Sequence, residues 1–397
     1  MTTLRDNSEN IIREKKQESI LQKFPIRRPA LGDLSNKVAS HVTHNVDDKK
    51  LTFKKPLKEE VQPTKVTKND AAASRTEKII AKVESRQLPQ KTLKRNESIL
   101  HSLTSRSKTP EIYNPDENTK NDPNAVTEYL EDIFCYMRGL EVEHSVRIDY
   151  LKGHRTTPTM RSVVVDWLVE VQISFKLCLD TLHLSISILD RYLETNINVG
   201  RETLQLVAIS GLMIAAKYEE VMIPEVVDFV YVCDDTFTKH QILEMERNIF
   251  AALKFFIPSP SSIQFLRRYS KIARVTPLQH NLGKYLLELA ILDYNTCQIL
   301  PSHLAAAACC LSIGILNEQM NLSEVWSPTM QHYTTLKLSD FKHVMALLAQ
   351  LLIKIETSKY QTIRKKYANS SHGKISANRK LKGPLVMKLI SEYKPKK

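Results

Sequence analysis

The sequence predicts an all-α protein, and three observations carry that reading. Apolar residues recur at three- and four-residue steps from Asn124 to about Tyr360. Helix-start signals punctuate this stretch at regular intervals. Strand-like alternation and Asn-Gly hairpins are absent throughout.

The elements follow in chain order. Residues 1 to about 122 are rich in Lys, Ser, Thr, Asn and Glu and hold only three aromatics, Phe24, Phe53 and Tyr113. Such a segment cannot bury enough surface to offset chain entropy of roughly 1–2 kcal/mol per residue, so a disordered basic tail is expected. Val126, Tyr129, Leu130, Ile133, Phe134, Met137 and Leu140 then mark an amphipathic helix. Thr157-Pro158 places an N-cap before a first-position proline. Capping boxes stand at Thr238–Gln241, Ser261–Gln264 and Thr276–Gln279. Pro224, Pro258, Pro301 and Pro328 mark further boundaries.

An internal repeat is visible. Thr181–Asp190 is echoed by Gly283–Asp293, and about 20 residues after each comes a run of small apolar residues, Leu206–Ala216 and Leu304–Gly314. Helices apolar all round are central, and small residues let neighbours approach closely. Two similar helical domains in tandem are therefore expected.

Composition excludes several function classes. The chain has 397 residues and a net charge of +13. Residues 1–120 carry +9 and residues 364–397 carry +10, which leaves −6 for the middle. A duplex-binding domain needs its cations on the folded surface, so no specific nucleic-acid partner is expected. None of the nine glycines lies within nine residues of another, which removes the dinucleotide fingerprint, the P-loop and the nucleophile elbow. The six cysteines (Cys135, Cys178, Cys233, Cys297, Cys309, Cys310) form no C-x-x-C and read as small core residues in a reducing compartment. The charged N-terminus lacks a signal-peptide core, and the apolar run Leu304–Leu316 is too short for a bilayer. Neither an enzyme's active site, nor a cofactor, nor a metal, nor a membrane association is expected.

Met160–Glu170 (MRSVVVDWLVE) resembles the first helix of the cyclin box, MRAILVDWLVEV. The similarity continues through Thr181–Leu184, Ile188–Leu193, Leu204–Val207, Ala215–Glu220, Pro224–Val226, Cys233–Thr236 and Glu244–Glu246. These blocks keep their order and spacing over about 120 residues, with weaker likeness to about residue 375. Phe265–Lys271 and Lys366–Ser371 look like the G2/mitotic B-type branch, whereas Asp234–Lys239 is closer to the A-type.

The resemblance implies two tandem five-helix cyclin folds with a helix ahead of the first. The expected organisation is a regulatory tail over 1–122, a first cyclin box with its preceding helix over 123–257, a second cyclin fold over 258–375 and a basic tail over 376–397. It also implies a non-enzymatic subunit that activates a cyclin-dependent kinase at the G2/M transition, in nucleus and cytoplasm. Lys217 and Glu246 match the family's kinase-gripping residues, although a Lys in a last helical turn and a Glu on a helix are commonly plain surface charges. Arg161 and Asp190 match a buried structural pair, with Leu206 as core. Met160, Val163, Val164, Trp167 and Glu170, with Leu204 and Gln205, match a patch that docks substrates and inhibitors bearing an Arg-x-Leu motif. The alternative for that stripe is ordinary core. Val163 and Val164 replace the family's Ile and Leu, which makes the groove shallower.

The tail carries its own resemblance. Arg28, Leu31, Leu34 and Asn36 match the destruction box, R-x-x-L-x-x-L-x-N, read by the anaphase-promoting ubiquitin ligase. Lys37, Lys49, Lys50, Lys54 and Lys55 follow as ubiquitin acceptors. Two alternatives stand beside the mitotic reading: an A-type cyclin acting in S/G2, and a cyclin-fold transcription adaptor, which the acidic middle and the destruction box disfavour.

Overall fold

The computed structural model describes residues 112–393; the destruction box and the tail lysines lie outside the described residues. Among the described residues every regular element is helical. The helices are α1 (Leu130–Glu143), α2 (Pro158–Phe175), α3 (Leu179–Thr195), α4 (Arg201–Glu219), α5 (Val226–Val232), α6 (Lys239–Ala252), α7 (Ser262–Ile272), α8 (Pro277–Leu292) and α9 (Pro301–Leu316). After them come α10 (Leu322–Val325), α11 (Pro328–Thr334), α12 (Leu338–Lys354), α13 (Thr362–Tyr367) and α14 (Pro384–Glu392).

Local chemistry sets the starts. Thr157 caps α2 by accepting from the Met160 amide, with Pro158 in the first turn. Thr238, Ser261 and Thr276 each form a reciprocal capping box with the Gln three residues on. The internal repeat becomes geometry: α3 packs on α4, and α8 packs on α9. Helices α4 and α9 are buried along nearly their whole length. Gly211 sits at the first of these contacts, where a Cβ would lie at ordinary van der Waals distance, 3.4 Å, from Ile188 Cγ2.

Polar clamps join the two repeats. Arg161 Nη1 donates to the Ile291 carbonyl at 3.0 Å, and Ser162 Oγ to the Leu292 carbonyl at 3.0 Å. Lys366 Nζ on α13 lies 2.7 Å from Glu288 Oε2 on α8 and 3.0 Å from Gln172 Oε1 on α2. Tyr367 donates to the other Glu288 oxygen at 2.6 Å. A fully enclosed carboxylate is tolerated only with such compensation.

Both expected tail boundaries change. Residues 112–122, expected to belong to the tail, are packed on the fold: Asp116 is buried and pairs with Arg268 at 2.7 Å and Lys271 at 2.8 Å, while Arg274 stacks over Tyr113 at 4.0 Å. At the other end, residues 376–393 are not a free basic tail. Leu381, Leu385, Val386 and Leu389 are buried, and α14 packs on α12. The apolar residues of Pro384–Ile390 recur at helical spacing, and Gly314 on α9 leaves room for Leu385, which a Cβ would approach to 2.8 Å. The cysteine reading also needs one correction: Cys135 is exposed on α1, whereas Cys233 and Cys309 are buried, with thiols pushed up to about 12 by burial. Among the described residues, no helix is long and apolar enough to cross a membrane.

Candidate functional site

Lys217 occupies the last turn of α4 and Glu246 the middle of α6, helices that pack side by side. Their side chains meet, Lys217 Nζ to Glu246 Oε1 at 2.7 Å, at the surface. Large apolar side chains stand in solvent nearby in sequence. Tyr218 lies in the last turn of α4, Val221, Met222 and Ile223 follow it and Val227 opens α5; all are exposed, Val221 to 96%. Phe255 follows α6 and is 76% exposed. Lys254 and Phe255 both take left-handed backbone (φ 52° and 62°), an uncommon pairing for residues with side chains. Folding does not bury these groups, so they are available to a partner.

Helix α1 carries a second set of exposed apolar side chains. Its apolar residues form two stripes. Leu130, Phe134, Met137 and Leu140 are half-buried, and the Phe134 ring lies 5.9 Å from that of Phe265 on α7. Tyr129, Ile133 and Tyr136 form the second stripe and are exposed. Spacings of four and three put these three on one face. The helix is fixed by Glu141, which accepts from the Ser302 amide at 2.8 Å and hydroxyl at 2.6 Å; burial pushes its carboxyl up, opposed by those Ser302 bonds. His144, just past α1, stacks on Phe256 at 4.0 Å and so brings the end of α1 to the turn that carries Phe255.

Behind this surface, Arg161 Nε and Nη2 donate to the two Asp190 oxygens at 2.6 and 2.7 Å, and Tyr150 adds its hydroxyl at 2.7 Å. Burial alone would lower the Arg161 pKa, but Asp190 and Tyr150 outweigh it and hold the guanidinium well above its ordinary value. Leu206 is buried in α4.

The docking patch on α2 and α4 divides. Met160, Val163 and Glu170 are half-buried, while Val164, Trp167, Leu204 and Gln205 are buried. Only the first three are therefore open to a ligand without rearrangement. The reason is packing: α2 is enclosed by α4, α8 and α13 and is apolar on most sides. Two buried donors in this set, Trp167 Nε1 and Gln205 Nε2, have no hydrogen-bond partner among the described residues. Each such group costs roughly 1–3 kcal/mol while unpaired.

Comparison with known proteins agrees with this architecture. The chain matches the family description "Cyclin, N-terminal domain" over residues 132–257 and "Cyclin, C-terminal domain" over 260–380. It is 43% identical over 280 residues to the G2/mitotic-specific cyclin-B of Spisula solidissima, an alignment covering 70% of this chain and 64% of that protein. It is 36% identical over 377 residues to the G2/mitotic-specific cyclin-B of Patella vulgata, covering 91% of each. Identity to the G2/mitotic-specific cyclin-B1 of Xenopus laevis is 41% over 276 residues, covering 69% of this chain and 68% of that one. The chain belongs to the cyclin family, on its B-type branch.

Proposed function

We propose that this chain is the activating subunit of a cyclin-dependent kinase at the G2/M transition. The observation that supports it best is the exposed Lys217–Glu246 pair, with the large apolar side chains Tyr218, Val221, Met222 and Phe255 left in solvent close to it in sequence and a second exposed stripe, Tyr129, Ile133 and Tyr136, at α1. In an isolated kinase the C-helix stands away, and the catalytic Lys–Glu pair is not assembled. A rigid partner that binds only the helix-in form shifts that equilibrium by its differential affinity. Going from 1:99 to 99:1 needs about 5.5 kcal/mol. Lys217 and Glu246 would exchange their mutual contact for contacts with the kinase.

The test is histone-kinase activity of the immunoprecipitated protein through one synchronised cycle. Activity that peaks at mitosis supports the reading. A precipitate without kinase at every stage overturns it, and a peak in S phase favours the A-type alternative.

Two further roles belong to this proposal. The groove at Met160, Val163 and Glu170 docks Arg-x-Leu substrates and inhibitors, with Glu170 pairing the Arg and the unpaired Trp167 and Gln205 donors meeting peptide carbonyls once the groove opens. The destruction box Arg28–Asn36 delivers the chain to the anaphase-promoting ubiquitin ligase. Arg28→Ala with Leu31→Ala should then prolong the protein's half-life through mitotic exit, and an unchanged half-life would assign destruction to another element.

A further inference from the structure

Glu170 lies at the edge of a cleft of about 660 Å³ between the end of α2 and α13. Thr362 steadies it there, with Oγ1 3.1 Å from Glu170 Oε1 and 2.9 Å from Asp166 Oδ2. Beyond Glu170 the lining changes sign. Lys176 at the end of α2, Lys284 on α8, and Lys365 and Lys366 on α13 all face the same cleft.

One of these cations is committed: Lys366 bonds to Glu288 and Gln172. Among the described residues, Lys176, Lys284 and Lys365 lie within ion-pair distance of no carboxylate. Lys176 and Lys365 are exposed, and Lys284 is half-buried. Burial lowers the Lys284 pKa, Glu288 opposes the fall, and Lys366 and Arg267 add to it. A lysine at a helix C-terminus ordinarily offsets the dipole in solvent, which accounts for Lys176 alone. It does not account for three unpaired cations around one cleft.

The docking reading of Glu170 above, on which this inference rests, sets which part of a peptide reaches them. The Leu of an Arg-x-Leu motif takes the Met160 and Val163 end, and the Arg takes Glu170, so the peptide runs antiparallel to α2. Residues ahead of the Arg then continue past Glu170 toward Ile173 and Lys176, both of which line the cleft. Lys176 is six residues beyond Glu170, about 9 Å along the helix axis. An extended peptide covers that distance with about three residues, at roughly 3.3 Å each.

The geometry points to this cleft as a second subsite of the docking groove, one that takes Asp or Glu side chains about two to four residues ahead of the Arg. Lys176 and Lys365 are its specificity-determining residues. Both stand in solvent, so an incoming carboxylate reaches them without rearrangement. Each contact is a surface ion pair, modest in strength and screened by salt. The favoured partner is an Arg-x-Leu segment preceded by an acidic run.

The experiment is fluorescence polarisation of three labelled peptides on the full chain, at low salt and at 0.5 M salt. All share one Arg-x-Leu core: the first has Asp-Glu-Asp ahead of the Arg, the second Asn-Gln-Asn there, and the third carries the same acids after the Leu. The first should bind about tenfold tighter than the second at low salt, with the gain shrinking at high salt. Lys176→Ala with Lys365→Ala should bring the first to within about twofold of the second and leave the second unchanged. Equal affinity of the first two peptides, or a gain that persists unchanged in the double variant, overturns the inference. So does an equal gain in the third peptide, which would assign the effect to the chain's net charge of +13. Each of these outcomes leaves the docking reading standing. No binding of any peptide, in protein with an intact helical circular-dichroism spectrum, overturns the docking reading and this inference with it.

Discussion

Lys217 and Glu246 satisfy each other at 2.7 Å before any partner arrives, and the lysine is 42% exposed while the glutamate is only 13% exposed. The pair therefore holds a charged, pre-positioned pattern at the surface with little role in stability, because exposed pairs contribute about 0–1 kcal/mol. Lys217→Ala with Glu246→Ala should change the unfolding free energy by less than about 1 kcal/mol. The same variant should abolish kinase activation in a reconstituted assay, and retained activation would dissociate this pair from the kinase interface.

Asp190 behaves in the opposite way. It accepts two bonds from Arg161 and one from Tyr150 inside the core, so Asp190→Ala leaves a buried guanidinium without its counter-charge. The expected loss is about 3–5 kcal/mol in chemical denaturation. The Arg161 bond to the Ile291 carbonyl carries part of this loss to the contact between the repeats. A change below 1 kcal/mol would show that water reaches the pair.

Met160 and Trp167 separate docking from packing. Trp167 is 5% exposed, so Trp167→Ala should cost about 3–5 kcal/mol of stability and lower activity on every substrate. Met160 is half-buried at the groove, and Met160→Ala should raise the Michaelis constant several-fold for Arg-x-Leu substrates alone. Steady-state kinetics on peptides with and without the motif check this. Equal losses on both classes from Met160→Ala would make the stripe ordinary core.

His183 makes stability pH-dependent on the acid side. Its imidazole is buried, its Nε2 has no hydrogen-bond partner among the described residues, and burial pulls its pKa down to about 4 from an ordinary 6.5, opposed in part by Asp180. The unfolded chain thus binds a proton that the folded chain refuses between pH 6.5 and about 4. This contribution to stability is intact above 6.5 and is lost as pH falls, at about 1.4 kcal/mol per unit. His183→Phe should remove that slope, read as the difference between variant and wild-type denaturation curves. A difference that stays constant over this range would show that His183 protonates in place.

The sequence by itself determined the fold class, the tandem repeat, the main helix starts and the family. Those properties live in local spacing: 3.6-residue periodicity, capping boxes and the Leu206 and Leu304 runs are chemistry between near neighbours. Tertiary structure alone decided which apolar face is core and which is surface. Tyr129 and Ile133 share the helical spacing of Phe134 and Met137, yet they face solvent while the Phe134 side of α1 meets α7. For Trp167 and Val164 the sequence left docking patch and ordinary core both open, and the structure encloses them among α4, α8 and α13. The 376–393 segment reads as a basic tail until Leu385 meets Gly314. Likewise Asp166, Glu170 and Thr362 converge across 192 or more residues of chain, and no local pattern announces a contact made at that separation.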